Sequence, residues 1–160
     1  MDNNNKIRKI IKETLNEWLN EQQHKLDYTK LNKLVKIISK KYPDINYGGC
    51  AVFARAFHNV TNLPYMLIFD TGLPDEDPPI HVMIKLPNGK LFDADGIRTK
   101  QQIKEYYKYD LEGNLMFLED NDGSILDNYY EELGSGLFTH CHKEHYNDIL
   151  NIIKKVMKSS

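Results

Sequence analysis

A cysteine that follows a pair of glycines is the first feature of this sequence with chemical potential. Gly48 and Gly49 precede Cys50, and a run of apolar residues follows it. Glycine adopts backbone angles closed to other residues and lets the main chain of a substrate come close. At the N-terminus of a helix, unpaired amide N–H groups and the helix dipole favour a thiolate. The pattern predicts Cys50 as a nucleophile, and a small buried hydrophobic residue is the alternative.

A histidine and two aspartates supply the partners that a thiol nucleophile requires. His81 leads an apolar strand, in a position where valine or isoleucine is usual. Imidazole is the common base for a thiol at neutral pH, and a histidine exposed at a strand end is the alternative. Asp93 and Asp95 follow on the next predicted strand, where either carboxylate would orient the ring and stabilise the imidazolium.

The turn between these two strands decides which face of the sheet the aspartates share. Pro87-Asn88-Gly89 fits a type I turn followed by a left-handed residue, so the residues on either side of it pair. That register places His81 opposite Asp95, with Asp93 as the diagonal neighbour, and puts all three side chains on one face. A two-residue turn would shift the register by one and send both aspartates to the other face.

The order and spacing of these residues resemble the papain-like cysteine hydrolases. Gly-Cys opens an apolar helix, and His-Val-x-Ile-x-Leu-x-Asn-Gly-Lys-x-x-Asp-Ala follows. This pattern is most similar to the NlpC/P60 branch and more distantly resembles transglutaminase-like domains. The resemblance covers residues 48–96 and implies Cys50 as nucleophile and His81 as base. It also implies Asp93, twelve positions after the histidine, as the orienting residue in preference to Asp95.

The chain also departs from that family pattern. Ala51 follows the cysteine, where NlpC/P60 proteins usually carry Ser-Gly and papain-type enzymes carry Trp. No Asp directly precedes Cys50, and the third residue is Asp where many NlpC/P60 members have His. Those relatives mostly act on peptidoglycan and are often exported, whereas this sequence shows no export signal. The catalytic core therefore transfers better than the cell-wall substrate.

The expected reaction is acyl transfer, in which the thiolate attacks an amide carbonyl and forms a thioester. Peptidase, amidase, deamidase and transglutaminase-type outcomes share these steps. The backbone N–H of Cys50 is the first candidate oxyanion donor, and Asn46 or a backbone amide in residues 47–49, including Gly49, is the second. Papain-like enzymes use an upstream Gln, which is absent here. A turn-forming role is the alternative for Asn46.

The elements that must position these groups follow from hydrophobic periodicity and turn signals. Predicted helices cover residues 5–22, Tyr28–Lys41, a segment from Cys50, Gln101–Tyr109 and Glu144–Met157. Predicted strands cover Tyr65–Asp70, Ile80–Leu86, Lys90–Asp95 and Leu115–Leu118. We expect one α+β, papain-like domain over residues 1–160, with the N-terminal helices and the Cys50 helix packed on an antiparallel sheet. Residues 1–42 would be helical, 43–100 the catalytic core, and 101–160 a C-terminal helical region.

An acidic loop directly precedes the histidine. Asp75, Glu76 and Asp77 are predicted to overhang the cleft and to attract a cationic substrate, such as a peptide bearing Lys or an amine. A solvated loop is the alternative. Tyrosines at positions 106, 107, 109, 129 and 130 would line a groove, or would occupy ordinary half-buried positions.

A cluster of metal-ligand types lies near the C-terminus. Cys141, His142 and His145 fall within five residues, which raises a small metal-binding protein as a rival interpretation. Zinc sites normally draw on two separated ligand pairs, so we expect no metal and no cofactor. A second rival is a catalytically inactive papain-like module that binds a protein partner, for example through the first helix.

The bulk composition excludes several classes of protein. The net charge is -2 with both signs mixed, which argues against a nucleic-acid surface. Nothing reaches the length of a membrane-spanning run, and two cysteines are too few for a disulfide scaffold. We therefore expect a cytoplasmic chain with free thiols that acts on a peptide or protein.

Overall fold

Five strands and six helices occur in the residues that the computed structural model describes, which are 6–14, 26–132 and 143–159. The helices are α1 (residues 6–14), α2 (Tyr28–Lys41), α3 (Cys50–Thr61), α4 (Lys100–Tyr107), α5 (Ser124–Glu132) and α6 (Tyr146–Lys158), with a 3-10 turn over Lys143–His145. The strands are β1 (Tyr65–Asp70), β2 (His81–Lys85), β3 (Leu91–Asp93), β4 (Gly96–Arg98) and β5 (Leu115–Asp120). This mixture confirms the α+β class.

The strands form one sheet in the order β4-β3-β2-β1-β5, and every neighbouring pair is antiparallel. Side chains alternate between the two faces of the internal strand β1. Tyr65, Leu67 and Phe69 enter the larger core on one face, while Met66 and Ile68 enter a smaller core on the other. Strand β1 is therefore buried on both faces. Strand β5 belongs to this sheet, so the region after residue 100 is not purely helical.

Helix α3 is the centre of the larger core. Phe53, Ala54 and Phe57 are completely buried, and both phenylalanine rings contact Phe92 of β3. These residues and Cys50 recur at helical spacing, which confirms that this face of α3 points into the protein. The helix packs against β2, β3 and α6, so it fixes the position of its first residue relative to the sheet.

Helix α1 does not pack as expected. Every residue from 6 to 14 is exposed, and the side chains of Ile7, Ile10 and Ile11 are each 54% exposed. The expectation that both N-terminal helices pack on the sheet is therefore wrong for α1, and the rest of its predicted stripe lies outside the described residues. Helix α6 packs beside α3 and buries Ile149 and Ile153, and α2 packs in turn against α6.

The hairpin between β2 and β3 has the predicted register. The backbone N–H of Leu86 donates to the carbonyl of Lys90 at 2.8 Å, and Ile84 pairs with Phe92. Gly89 adopts φ +79°, the left-handed conformation that the three-residue turn requires. The predicted three-residue loop is therefore confirmed.

The chain turns again earlier than predicted. Strand β3 ends at Asp93, which pairs with Gly96 of β4 across a two-residue turn. Asp95 lies in this turn rather than on the strand, because Gly96 adopts φ +128° and reverses the chain. Strand β4 was not predicted.

In the part of the chain that the structure describes, no helix combines the length and the apolar character needed to cross a bilayer.

Candidate active site

Cys50 is the first residue of α3 and lies at the edge of the larger core, with 8% of its surface exposed. Gly48 adopts φ +88°, so the turn that leads into α3 requires a glycine there. Gly49 is the N-cap residue of α3, and its carbonyl accepts the first helical hydrogen bond, from the N–H of Phe53 at 3.1 Å. Glycine has no side chain that could bond to the first amides of the helix. The first amides of α3 therefore have no capping side chain and remain available to an anion at the cysteine.

His81 begins β2 and is buried, with 5% of its surface exposed. Its Nε2 atom lies 2.8 Å from Oδ2 of Asp93. The same ring interacts with the thiol of Cys50, and each of the two groups shifts the pKa of the other. The imidazole therefore interacts with both the thiol and the carboxylate.

The carboxylate of Asp93 is completely buried and has a full set of donors. Oδ1 accepts the backbone N–H groups of Asp95 at 2.9 Å and Gly96 at 3.2 Å. Oδ2 accepts from His81 Nε2 and from Nη2 of Arg98. These bonds hold the carboxylate ionised and immobile behind the imidazole.

Asp95 occupies a different environment. Its side chain is 59% exposed and reaches Arg98 Nη2 only at 3.8 Å. The imidazole of His81 contacts Asp93 instead, the diagonal neighbour in the hairpin register. The structure therefore brings Cys50, His81 and Asp93 together and leaves Asp95 at the surface.

Electrostatics favours the thiolate of Cys50. Burial raises the pKa of this thiol, and it is the largest single influence on it. The hydrogen bond and positive charge of His81 oppose burial, as do bonds from the backbone N–H groups of Val82 and Ala51. Together they hold the pKa of Cys50 below its ordinary value, as expected of a nucleophilic thiol.

The pKa values of His81 and Asp93 are shifted in directions that complement the thiolate of Cys50. Burial lowers the pKa of His81, but the bonds to Asp93 and Cys50 outweigh it and raise that pKa to about 9. For Asp93, burial raises the pKa, whereas the His81 bond and the charge of Arg98 bring it below its ordinary value. These shifts favour an imidazolium between two anions at neutral pH.

Arg98 is a member of this site that the sequence reasoning missed. It lies at the end of β4, is 23% exposed at its side chain, and shares Oδ2 of Asp93 with His81. We refer to Cys50, His81, Asp93 and Arg98 as the ion network. The Asp95-Gly96 dipeptide signals a turn in this region, but the register of β4, which brings Arg98 to Asp93, has no local signal.

A cavity of about 340 Å³ opens beside His81. Asn46, Gly48, Arg98 and Tyr107 are among the residues that line it. Both polar atoms of the Asn46 amide are buried and have no hydrogen-bond partner among the described residues. Burial raises the pKa of Tyr107 to about 12, so this phenol is neutral at physiological pH. The amide of Asn46 thus offers an unused donor and an unused acceptor next to the base.

The acidic loop lies elsewhere. Asp75 lines a separate cavity of about 280 Å³ with Phe69, Leu73 and Tyr129, and its backbone carbonyl accepts from the Tyr129 hydroxyl at 3.4 Å. These contacts draw the loop towards β5, on the side of β1 away from β3. Glu76 and Asp77 likewise do not line the cavity beside His81.

Three of the five tyrosines line one of these two cavities, and Tyr129 is the one beside Asp75. Tyr106 and Tyr107 line the cavity beside His81, whereas Tyr109 is 85% exposed and the side chain of Tyr130 lies outside the described residues.

Part of the C-terminal metal-ligand cluster lies outside the described residues, because these omit 133–142 and therefore Cys141 and His142. Within 6–14, 26–132 and 143–159, no three metal-ligand side chains are grouped as a metal ion would require. His145 lies against the ring of Tyr42, with the two ring centroids 4.6 Å apart.

Comparison with known proteins adds no relative: no protein-family model, curated protein or solved structure matches the chain. The chemistry of the site must therefore be inferred from its own geometry.

Proposed function

We propose that this chain is a thiol-dependent acyl-transfer enzyme, an amide hydrolase of the peptidase, amidase or deamidase type, with a papain-like fold. One observation carries the proposal: the His81 ring contacts Asp93 through Nε2 at 2.8 Å and also interacts with the thiol of Cys50. A nucleophile, a base and an orienting carboxylate in this order define a thiol triad. The position of the cysteine at a helix N-terminus and of the histidine on the adjoining strand supports the papain-like assignment.

In the first step, the thiolate of Cys50 attacks the carbonyl carbon of an amide. A C–S bond forms, and the electron pair of the carbonyl π bond moves to oxygen. The amide N–H of Asn46 and the free amides at the start of α3 are the donors available to this oxyanion. Collapse of the intermediate breaks the C–N bond, and the His81 imidazolium gives its proton to the departing amine.

In the second step, water attacks the thioester while the now neutral His81 accepts its proton. The C–S bond breaks, the acid product leaves, and the thiolate–imidazolium pair returns. Asp93 keeps the ring in the orientation that both proton transfers need. An amine in place of water would give transamidation by the same steps.

The test is alkylation of Cys50 by iodoacetamide as a function of pH, measured by mass spectrometry of the cysteine peptides. We expect labelling of Cys50 below neutral pH in the folded protein, because its thiol ionises below the ordinary range. The chain unfolded in urea is the reference for an ordinary thiol. The His81→Ala variant should lose the early labelling.

A companion measurement separates an enzyme from an inactive binding module. 4-Nitrophenyl acetate should acetylate Cys50 with release of nitrophenol, and the thioester should then hydrolyse. The Cys50→Ser variant should show no such acetylation. Labelling of Cys50 only at the pH of an unfolded thiol, with no acetyl-enzyme, would refute the proposal and favour a binding module.

A further inference from the structure

The mouth of the cavity beside His81 carries an excess of negative charge. Within the ion network, two anions and two cations compensate one another. The cavity is also lined by Asp95 and Asp110, and both side chains are exposed to solvent. Asp95 approaches Arg98 only to 3.8 Å, and Asp110 has no ion-pair partner among the described residues. Two carboxylates therefore remain to attract a ligand.

Aromatic rings stand at the same mouth. Tyr47 and Tyr106 both line the cavity, and they are 75% and 59% exposed. The face of a tyrosine ring attracts a cation, as the position of the Arg98 guanidinium 5.8 Å from the Tyr106 ring already illustrates. Exposed rings beside uncompensated carboxylates form the usual receptor for an ammonium or guanidinium group.

An anionic ligand fits this cavity poorly. Among the described residues that line it, the only cation besides His81 is Arg98, whose charge is balanced by Asp93 and approached by Asp95. A carboxylate entering the cavity would be repelled by the charges of Asp95 and Asp110. The volume of about 340 Å³ lies within the range of small-ligand sites, so it can hold a group the size of a lysine or arginine side chain.

We propose that this cavity is the subsite for a cationic group of the substrate, an ammonium or guanidinium on the residue next to the attacked amide. Asp95 and Asp110 supply the charge, and Tyr47 and Tyr106 supply the ring faces. The proposal rests on the acyl-transfer function proposed for Cys50. It moves the attraction for cations away from the acidic loop, whose carboxylates do not line this cavity.

Charged methanethiosulfonates provide the test, because they report the field at Cys50 without a known substrate. The thiolate attacks the sulfenyl sulfur, a disulfide forms and methanesulfinate leaves. We would measure the rates of the 2-(trimethylammonium)ethyl and 2-sulfonatoethyl reagents at Cys50 and take their ratio. Dividing by the same ratio for the urea-unfolded chain removes the intrinsic reactivity of each reagent.

The folded protein should prefer the cationic reagent by about tenfold over the unfolded reference. Asp110→Asn should reduce this preference by on the order of fivefold, and adding Asp95→Asn should reduce it further. Asp75→Asn is the matched control, because Asp75 is also an exposed aspartate but lines the other cavity. The preference should also shrink at high salt, since exposed charges are screened.

Three outcomes would overturn the inference. A ratio equal to that of the unfolded chain, or a preference for the anionic reagent, would refute the cationic subsite and leave the thiol chemistry standing. A preference lost in Asp75→Asn but kept in Asp110→Asn would assign the attraction to the acidic loop. Slow reaction with both charged reagents and with neutral methyl methanethiosulfonate would refute the proposed function and the subsite together.

Discussion

Replacing Asp93 by Asn probes the link between the carboxylate and the nucleophile. The substitution keeps the shape of the side chain and removes its charge from the 2.8 Å bond to His81 Nε2. Without that charge the imidazolium is less stable, so the pKa of His81 should fall. The thiolate of Cys50 then loses part of its positive partner, and its pKa should rise.

The size of the expected effect follows from the pKa of His81. The pKa of His81 rises from 6.5 to about 9, which corresponds to about 3 kcal/mol in favour of the imidazolium. This gain is what remains after the opposing effect of burial, and the Asp93 bond is the largest favourable contribution. Assigning on the order of 2 kcal/mol to Asp93 predicts about a thirtyfold smaller thiolate–imidazolium population. The midpoint for alkylation of Cys50 should rise by about one pH unit or more.

The assay is the pH profile of iodoacetamide labelling at Cys50, with circular dichroism to show that the variant is folded. Asp120→Asn is the control for loss of a buried carboxylate. Asp120 is 1% exposed and accepts the backbone amides of Gly123 and Leu126 at 3.0 and 2.9 Å, away from the ion network. It should lose stability with the Cys50 midpoint unchanged. A folded Asp93→Asn protein with the wild-type midpoint would refute the electrostatic coupling.

Two further predictions concern the oxyanion and the hairpin. Asn46→Ala should slow acetylation of Cys50 by 4-nitrophenyl acetate by about 10²- to 10³-fold relative to alkylation of the same thiol, because this is the usual effect of removing one oxyanion donor. A ratio of the two rates close to that of the wild type would show that Asn46 is not an oxyanion donor. Gly89→Ala should lower the free energy of unfolding in urea by about 1 kcal/mol, because alanine is strained at φ +79° while its Cβ would meet no neighbour. Gly89→Asn should recover part of that loss, since asparagine tolerates this conformation; equal stability of all three proteins would contradict the assigned turn.

Local sequence signals were sufficient for the β2–β3 hairpin. Pro87, Asn88 and Gly89 specify a turn whose length sets the register, and the register fixes which side chains share a face. Local signals were not sufficient to choose Asp93 over Asp95 as the residue that orients His81, because that choice depends on where β3 ends. That boundary is set by the conformation of Gly96 and by pairing with β4, which a short strand does not announce in its composition.

Contacts between segments that are far apart in the sequence could not be predicted from local sequence patterns. The apolar stripe of α1 has the spacing of a packed helix, and its exposure over residues 6–14 has no local signal in the sequence. The acidic loop likewise has no local signal for its direction, which is set by its contact with Tyr129 some fifty residues later. Arg98 was missed for the same reason, since its role depends on a strand pairing rather than on a motif.

The bond between Cys50 and His81 has a consequence for how acidity acts on folding. In the unfolded chain, between about pH 6.5 and 9, the sulfur holds a proton and the ring does not. In the native protein the pKa of the sulfur is lowered and the pKa of the ring is raised. The raised pKa of His81 alone would make the protein less stable as pH increases through this interval, and the lowered pKa of Cys50 alone would make it more stable. The two slopes have opposite signs, so the pair changes the pH dependence of stability less than either group would alone.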